Sequence, residues 1–196
     1  YRKFKINNST SSSGCPSRVG DLTRITSDLT FQGYDEATPT AGKGDYKIFY
    51  ATNGVCDQTL RKPIIVVDGF DPTDQRDADE LYNEYLDDPN RGTFATDMRA
   101  QGYDIVVLNF PEYSIGSQTF NFSPRPITVP INRDGGADYI ERNAMVFIKL
   151  IKTINDLKQG NEKLTIIGPS MGGLISRYAL KYMEQHNDPH KTKLWI

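Results

Sequence analysis

Three short, nearly uninterrupted apolar runs, Pro63 to Val67, Asp104 to Asn109 and Leu164 to Ile167, constrain this chain more than any other feature. A strand with one face in water alternates apolar and polar residues, whereas a parallel strand covered on both faces does not. Parallel strands need long crossovers, normally helical, and the sequence between the runs supplies them. From about Asp134 to Gly160, Ile140, Ala144, Phe147, Ile151 and Ile154 recur every three or four residues while Glu141, Lys149 and Lys152 fall on other faces. Asp77 to Leu86 and Gly172 to His186 predict two further helices, the second stopping before Asn187-Asp188-Pro189. Upstream, Leu22 to Phe31 and Asp45 to Tyr50, separated by Gly33, Pro39, Gly42 and Gly44, predict an antiparallel hairpin. The pattern is α/β, with a mostly parallel sheet and helices on both faces.

A length of 196 residues suits one domain with a buried core. Lys and Arg number 23 against 25 Asp and Glu, well mixed, which argues against binding nucleic acid by phosphate neutralisation. No apolar run approaches the roughly 20 residues of a membrane-spanning helix, so a soluble chain without a transmembrane segment is expected. Hydrophobic residues make up only 37%, but the 11 Tyr and 9 Phe among them are large and carry much of the burial. Residues 1–20 read as a flexible arm, because Asn7 to Gly14 is Asn, Ser and Thr with one Gly. Cys15 and Cys56, about 40 residues apart, can staple that arm to the domain outside the cytosol; two free thiols in a reducing compartment are the alternative. The cysteine pair makes a secreted, cell-surface or periplasmic location the expected one, and a chain that opens at Tyr1 without an initiator Met or an apolar signal core reads as a mature or trimmed product if it is exported.

The segment 111–133 interrupts the α/β rhythm. It holds Pro111, Pro124, Pro126 and Pro130 together with Tyr113, Phe120 and Phe122, and is too long for an ordinary connection. Loops after parallel strands lie at the carboxyl end of the sheet, where ligands bind. The segment therefore reads as a lid or cap, with Tyr113, Phe120 and Phe122 as candidate substrate-binding residues; an aromatic flap that only covers core is the alternative.

Chemistry enters at Gly168-Pro169-Ser170-Met171-Gly172-Gly173, directly after an apolar run and before the helix carrying Leu174, Ile175, Tyr178, Ala179 and Tyr182. This is G-x-S-x-G in a strand-turn-helix setting. A serine on so tight a turn is held in a strained backbone conformation, and the residues two before and two after it must be nearly free of side chain. The turn lifts the Ser170 hydroxyl above the sheet, and the helix N-terminus offers backbone N–H groups to a developing oxyanion. The Met171 N–H is the first candidate donor. The second is the Phe70 N–H, in the turn Asp68-Gly69-Phe70-Asp71-Pro72 that ends another apolar run. Gly69 joins the candidate substrate-binding residues.

On these residues the chain resembles the α/β-hydrolase superfamily, in particular secreted bacterial lipase- and esterase-like members related to the inositol-deacylase group. The resemblance runs from about Pro63 to Ile196 and implies that Ser170 is the nucleophile and Gly69-Phe70 the oxyanion turn. Members often have His before the oxyanion glycine and before the nucleophile, where this chain has Asp68 and Pro169.

A serine nucleophile needs a base and a carboxylate to orient it. His186 and His190 are the two histidines, and a helix of roughly fourteen residues carries them about 20 Å from Ser170. In this fold the acid and His follow the nucleophile. Lys193 to Ile196 reads as the start of a further strand. An incomplete domain is therefore expected, residues 21–196 being its N-terminal part, with the rest of the hydrolase, on the same or a second chain, as partner to an ester or lipid substrate. Asp68, Asp71, Asp74, Asp77, Asp79 and Glu80 match no EF-hand spacing and read as a solvated acidic loop. No metal or cofactor is expected. The expected activity is a serine hydrolase of carboxylic esters. The alternatives are an amidase, peptidase or thioesterase on the same elbow, or a non-catalytic binding module.

Overall fold

The computed structural model describes residues 18–196 other than 54, 55, 89, 91 and 123. The chain runs through β1 (Thr23–Phe31), β2 (Thr40–Phe49), β3 (Pro63–Val67), α1 (Ala78–Glu80) with a π-helical continuation over Leu81–Leu86, and α2 (Phe94–Ala100). It continues through β4 (Asp104–Asn109), β5 (Tyr113–Phe120), β6 (Ile127–Arg133), α3 (Ile140–Leu157), β7 (Leu164–Ile167), α4 (Met171–Gln185) and β8 (Thr192–Trp195). Six strands form one sheet in the order β1-β2-β4-β3-β7-β8. β1, β2 and β4 pair antiparallel, and β4, β3, β7 and β8 pair parallel.

The three apolar runs are β3, β4 and β7, residue for residue. Every residue of β3 and β4 is buried, because alternate side chains enter two separate cores. Ile65, Val67, Val106, Leu108, Leu164 and Ile166 pack with Phe147, Ile151 and Ile154 of α3 and Ile175, Ala179 and Met183 of α4. Ile64, Val66, Ile105 and Val107 pack with Phe49, Ala78, Leu81, Tyr82 and Ala95 on the opposite face.

Several boundaries differ from the sequence reading, each for a tertiary reason. β2 begins at Thr40, not Asp45, and includes Gly42 and Gly44. A Cβ on Gly42 would lie 2.8 Å from Val146 Cγ2, so glycine there admits α3 and does not mark a turn. The long helix starts at Ile140; Gly135–Ala137 is a 3₁₀ turn and Asp138 and Tyr139 are extended. A Cβ on Gly136 would lie 2.1 Å from the Asp71 carbonyl oxygen, so this turn is pressed onto the loop after β3. α1 is capped by Asp77, which accepts from the Asp79 and Glu80 amides at 2.8 Å each. α2 has no counterpart in the sequence reading.

The expected N-terminal arm is outside the described residues up to 17, but 18–20 are strapped to the sheet. The Gly20 amide donates to Ile48 O and the Tyr50 amide to Arg18 O, both at 2.8 Å. Cys56 is disulfide-bonded, whereas its expected partner Cys15 is outside the described residues. Among the described residues no helix is long and apolar enough to cross a membrane.

Segment 111–133 holds β5 and β6. β5 and β6 form a separate two-stranded ribbon, exposed from Ser114 to Asn132 wherever it is described. Its base is pinned by Tyr113, whose hydroxyl donates to Asp138 Oδ2 at 2.9 Å. Asp138 and Glu36 both pair with the fully buried Arg142 of α3, which also donates to Phe31 O at 3.1 Å. Removing one member of a buried ion cluster leaves its partners uncompensated. Arg142→Ala is therefore expected to lower unfolding free energy by about 3–5 kcal/mol, measured as a urea midpoint shift against wild type.

Candidate active site

Ser170 adopts φ 53°, ψ −126°, a backbone conformation that costs a non-glycine residue on the order of 1–3 kcal/mol. The glycines around it explain how the turn closes. A Cβ on Gly168 would lie 2.6 Å from Gly172 O, one on Gly173 2.7 Å from Gly168 O, and one on Gly172 2.3 Å from Val67 O. The start of α4 is thus laid directly on the end of β3. Ser170 is exposed on the turn, and Met171 opens α4, where first-turn amides have no intrahelical acceptor.

The turn after β3 meets this elbow. A Cβ on Gly69 would lie 3.3 Å from Ser170 Cβ and 3.8 Å from Met171 N, so glycine is the residue that lets the two backbones approach. Phe70 follows, with no hydrogen-bond acceptor for its N–H among the described residues. Ser170, Gly69 and Phe70 line one cavity of about 370 Å³ with Val66, Asp68, Arg76, Leu81, Tyr85, Leu86, Ile167 and Pro169, a mainly apolar wall.

The acidic stretch after β3 is not simply solvated. Asp68 and Asp71 are buried at 3% and 4% exposure. Asp68 Oδ1 accepts from the Gly69 amide at 2.7 Å and from Arg76 Nη2 at 3.3 Å. Asp71 Oδ2 accepts from the Arg76 amide at 2.9 Å, and the Asp71 amide donates to Gly136 O at 3.1 Å. Burial pushes the Asp68 carboxyl up to about 6; Arg76 and the Gly69 amide oppose this, and Asp71 and Asp74 add to it. Arg76 carries no sequence signal of its own, being one basic residue in a charged loop.

The structure brings Ser170, Met171, Gly69 and Phe70 together. It does not bring Tyr113, Phe120 or Phe122 to them. Tyr113 is buried against Asp138, and Phe120 and Phe122 stack on the exposed ribbon with centroids 6.1 Å apart; none of the three lines the cavity. The histidines are at the other end of α4. His186 Nδ1 lies 2.8 Å from Tyr182 O, and His190 Nδ1 accepts from the Thr192 amide at 3.1 Å. Among the described residues no group of His, Cys, Asp or Glu is arranged to hold a metal ion.

A mostly parallel sheet, helices on both faces and a strained serine between a central strand and its helix define an α/β-hydrolase fold. No family model matches the chain, and no curated protein is significantly similar. Solved structures that overlay on it include an esterase of Pyrobaculum calidifontis, at 12% identity and TM-score 0.41, over 88% of this chain and 43% of that one. Candida antarctica lipase A in its closed state overlays at 12% identity and TM-score 0.45, over 91% and 40%. The rice cell wall degrading esterase LipA of Xanthomonas oryzae overlays at 15% identity and TM-score 0.43, over 88% and 40%. The chain spans well under half the length of each.

Asp68 generates a pH prediction with a definite sign. Its folded-state pKa is above that of an unfolded aspartate, so between about pH 4 and 6 the folded protein holds a proton that the unfolded chain releases. Stability from this group is therefore lost as pH rises through that window. Asp68→Asn removes the dependence, and its stability relative to wild type should rise by on the order of 2 kcal/mol between urea unfolding curves at pH 4 and pH 7.5.

Proposed function

We propose that the protein is a serine hydrolase of carboxylic esters, of the esterase or lipase kind. The observation that carries this reading is the packing of Gly69, the residue before the unpaired Phe70 amide, against a strained serine at a helix N-terminus. Ser170 Oγ attacks the acyl carbon while a base takes its proton. The resulting oxyanion accepts hydrogen bonds from the Met171 and Phe70 amides. Collapse expels the alcohol, and water then hydrolyses the acyl-enzyme. The apolar wall of Leu81, Leu86 and Ile167 favours an apolar acyl group, from a simple ester or a lipid.

The base and its orienting acid come, in this reading, from chain outside these 196 residues. Two observations support that. Both histidines lie a full helix away from Ser170, and β8 leaves Leu194, Trp195 and Ile196 exposed at the sheet edge, a surface suited to further strands. The disulfide at Cys56 supports a site of action outside the cytosol.

The test is a fluorophosphonate, which reacts with activated serines, applied to the full-length protein and followed by peptide mass mapping. The expected result is one adduct, on Ser170, lost in Ser170→Ala together with at least about a thousandfold of p-nitrophenyl butyrate hydrolysis. A folded protein that takes no adduct and turns over no ester overturns the reading in favour of a binding module. Turnover of amides or thioesters in preference to esters moves the assignment to that bond.

A further inference from the structure

The Phe70 amide is useful as an oxyanion donor only if its peptide plane is held, and it lies in a loop outside any strand or helix. Peptide planes are rigid, so the orientation of one is set by the dihedrals of the two α-carbons flanking it. Gly69, on one side, is the residue least able to restrict them. The restriction comes from the two neighbouring peptides. The Asp68–Gly69 peptide is held through its N–H, which donates to the Asp68 carboxylate at 2.7 Å. The Phe70–Asp71 peptide is held at both ends: Phe70 O accepts from Arg76 Nη2 at 3.0 Å, and the Asp71 amide donates to Gly136 O at 3.1 Å. Only the peptide between them, the one carrying the Phe70 N–H, keeps its donor free of protein acceptors among the described residues.

One side chain joins the two anchors. Arg76 Nη2 reaches both Phe70 O and Asp68 Oδ1, while Nη1 donates to the Tyr85 hydroxyl at 3.4 Å and the guanidinium lies 5.4 Å from the Tyr85 ring centroid. We infer that Arg76 is a positioning residue for the oxyanion site, fixing the peptide plane that presents the Phe70 amide to the acyl oxygen on Ser170. This rests on the serine-hydrolase reading and deepens it. The pair is a poor device for stability alone: Asp68 Oδ2 and Arg76 Nε are buried without hydrogen-bond partners, and apolar residues of similar volume often replace buried ion pairs at no loss. What an apolar pair cannot supply is a donor to Phe70 O. An oxyanion donor acts on the transition state more than on bound substrate, so its misplacement lowers kcat and spares KM.

The test compares wild type, Arg76→Met, Arg76→Lys and the double variant Asp68→Asn/Arg76→Met, each in the full-length protein. Arg76→Met should lower kcat for p-nitrophenyl butyrate by about ten- to a hundredfold at nearly constant KM, with partial recovery in Arg76→Lys, which restores one donor. The double variant removes the buried Asp68 charge that Arg76→Met leaves uncompensated, while Asp71, 3.7 Å from Arg76 Nη2, keeps the Arg76 backbone amide as its donor. It should therefore recover the urea midpoint while kcat stays low, and it carries the test if Arg76→Met alone does not fold. Recovery of kcat together with stability would make Arg76 a mere counter-ion to Asp68 and overturn the inference. Amide hydrogen exchange supplies a readout that needs no turnover. The Asp71 amide should exchange at least about tenfold faster in both Met-containing variants while the β3 and β4 amides keep their protection; unchanged Asp71 exchange overturns the clamp. A wild type without adduct or turnover overturns the hydrolase reading instead, and the exchange comparison still decides whether Arg76 holds the turn.

Discussion

The site is assembled by backbone lying on backbone at the carboxyl ends of β3 and β7. Gly172 rests against Val67 O, Gly168 against the Gly172 peptide, and Gly69 against Ser170. None of these approaches has room for a Cβ at its ordinary distance. The elbow and the turn after β3 are therefore one packed unit, and a side chain at Gly172 would lift Ser170 and the start of α4 off the sheet together. The positive φ of Ser170 belongs to the same unit, since a serine holds that conformation only where the surroundings over-determine it.

Those surroundings are the two cores. β3, the strand that ends in the Gly69-Phe70 turn, is buried on both faces and hydrogen-bonded on both edges, to β4 and β7. Its side chains alternate between the helices α3 and α4 and the layer of α1, the π-helical turn and α2. Close packing of this kind is stiff, so strain at Ser170 does not relax by shifting the strand below it. The π-helical turn serves both ends of the arrangement. Leu81 and Tyr82 fill the core, while Tyr85 and Leu86 wall the cavity beside Ser170.

What was legible in the sequence is what local chemistry decides. A strand buried on both faces announces itself in its own residues, and β3, β4 and β7 were readable to the residue. The elbow was readable because its glycines are needed within the same turn. Errors fell where a distant neighbour decides. Gly42 and Gly44 look like turn residues until Val146 of α3 is seen above them. Asp134 to Tyr139 looks like the first turns of α3 until Gly136 is seen against Asp71. α2 is seven residues with one buried position, Ala95, too little for a periodicity. The segment 111–133 reads as a cap from its length and its place after a parallel strand, neither of which says where Tyr113, Phe120 and Phe122 lie. Tyr113, at the base of the ribbon, is held beside a cluster of charges, Arg142, Asp138, Glu36 and Arg133, brought together from the turn after β1, the end of β6 and the start of α3.

The same division separates the two halves of the candidate oxyanion site. The Met171 amide is placed by the helix that follows it, and a helix N-terminus is a local property. The Phe70 amide is placed by residues that meet only in the folded chain: Arg76 from the end of the loop, Gly136 from the turn before α3, Asp134 through the Thr73 amide at 2.7 Å, and Asp74 reaching Asn109 at the end of β4 and Glu112 after it. A stretch that reads as excess negative charge is thus a set of fasteners between the carboxyl ends of β3 and β4. Aspartate suits that work because its short carboxylate accepts from backbone amides nearby. Two of these carboxylates are buried because the loop they fasten lies flat against Ser170 and the turn before α3, and Arg76 is the cation that makes the burial of Asp68 tolerable.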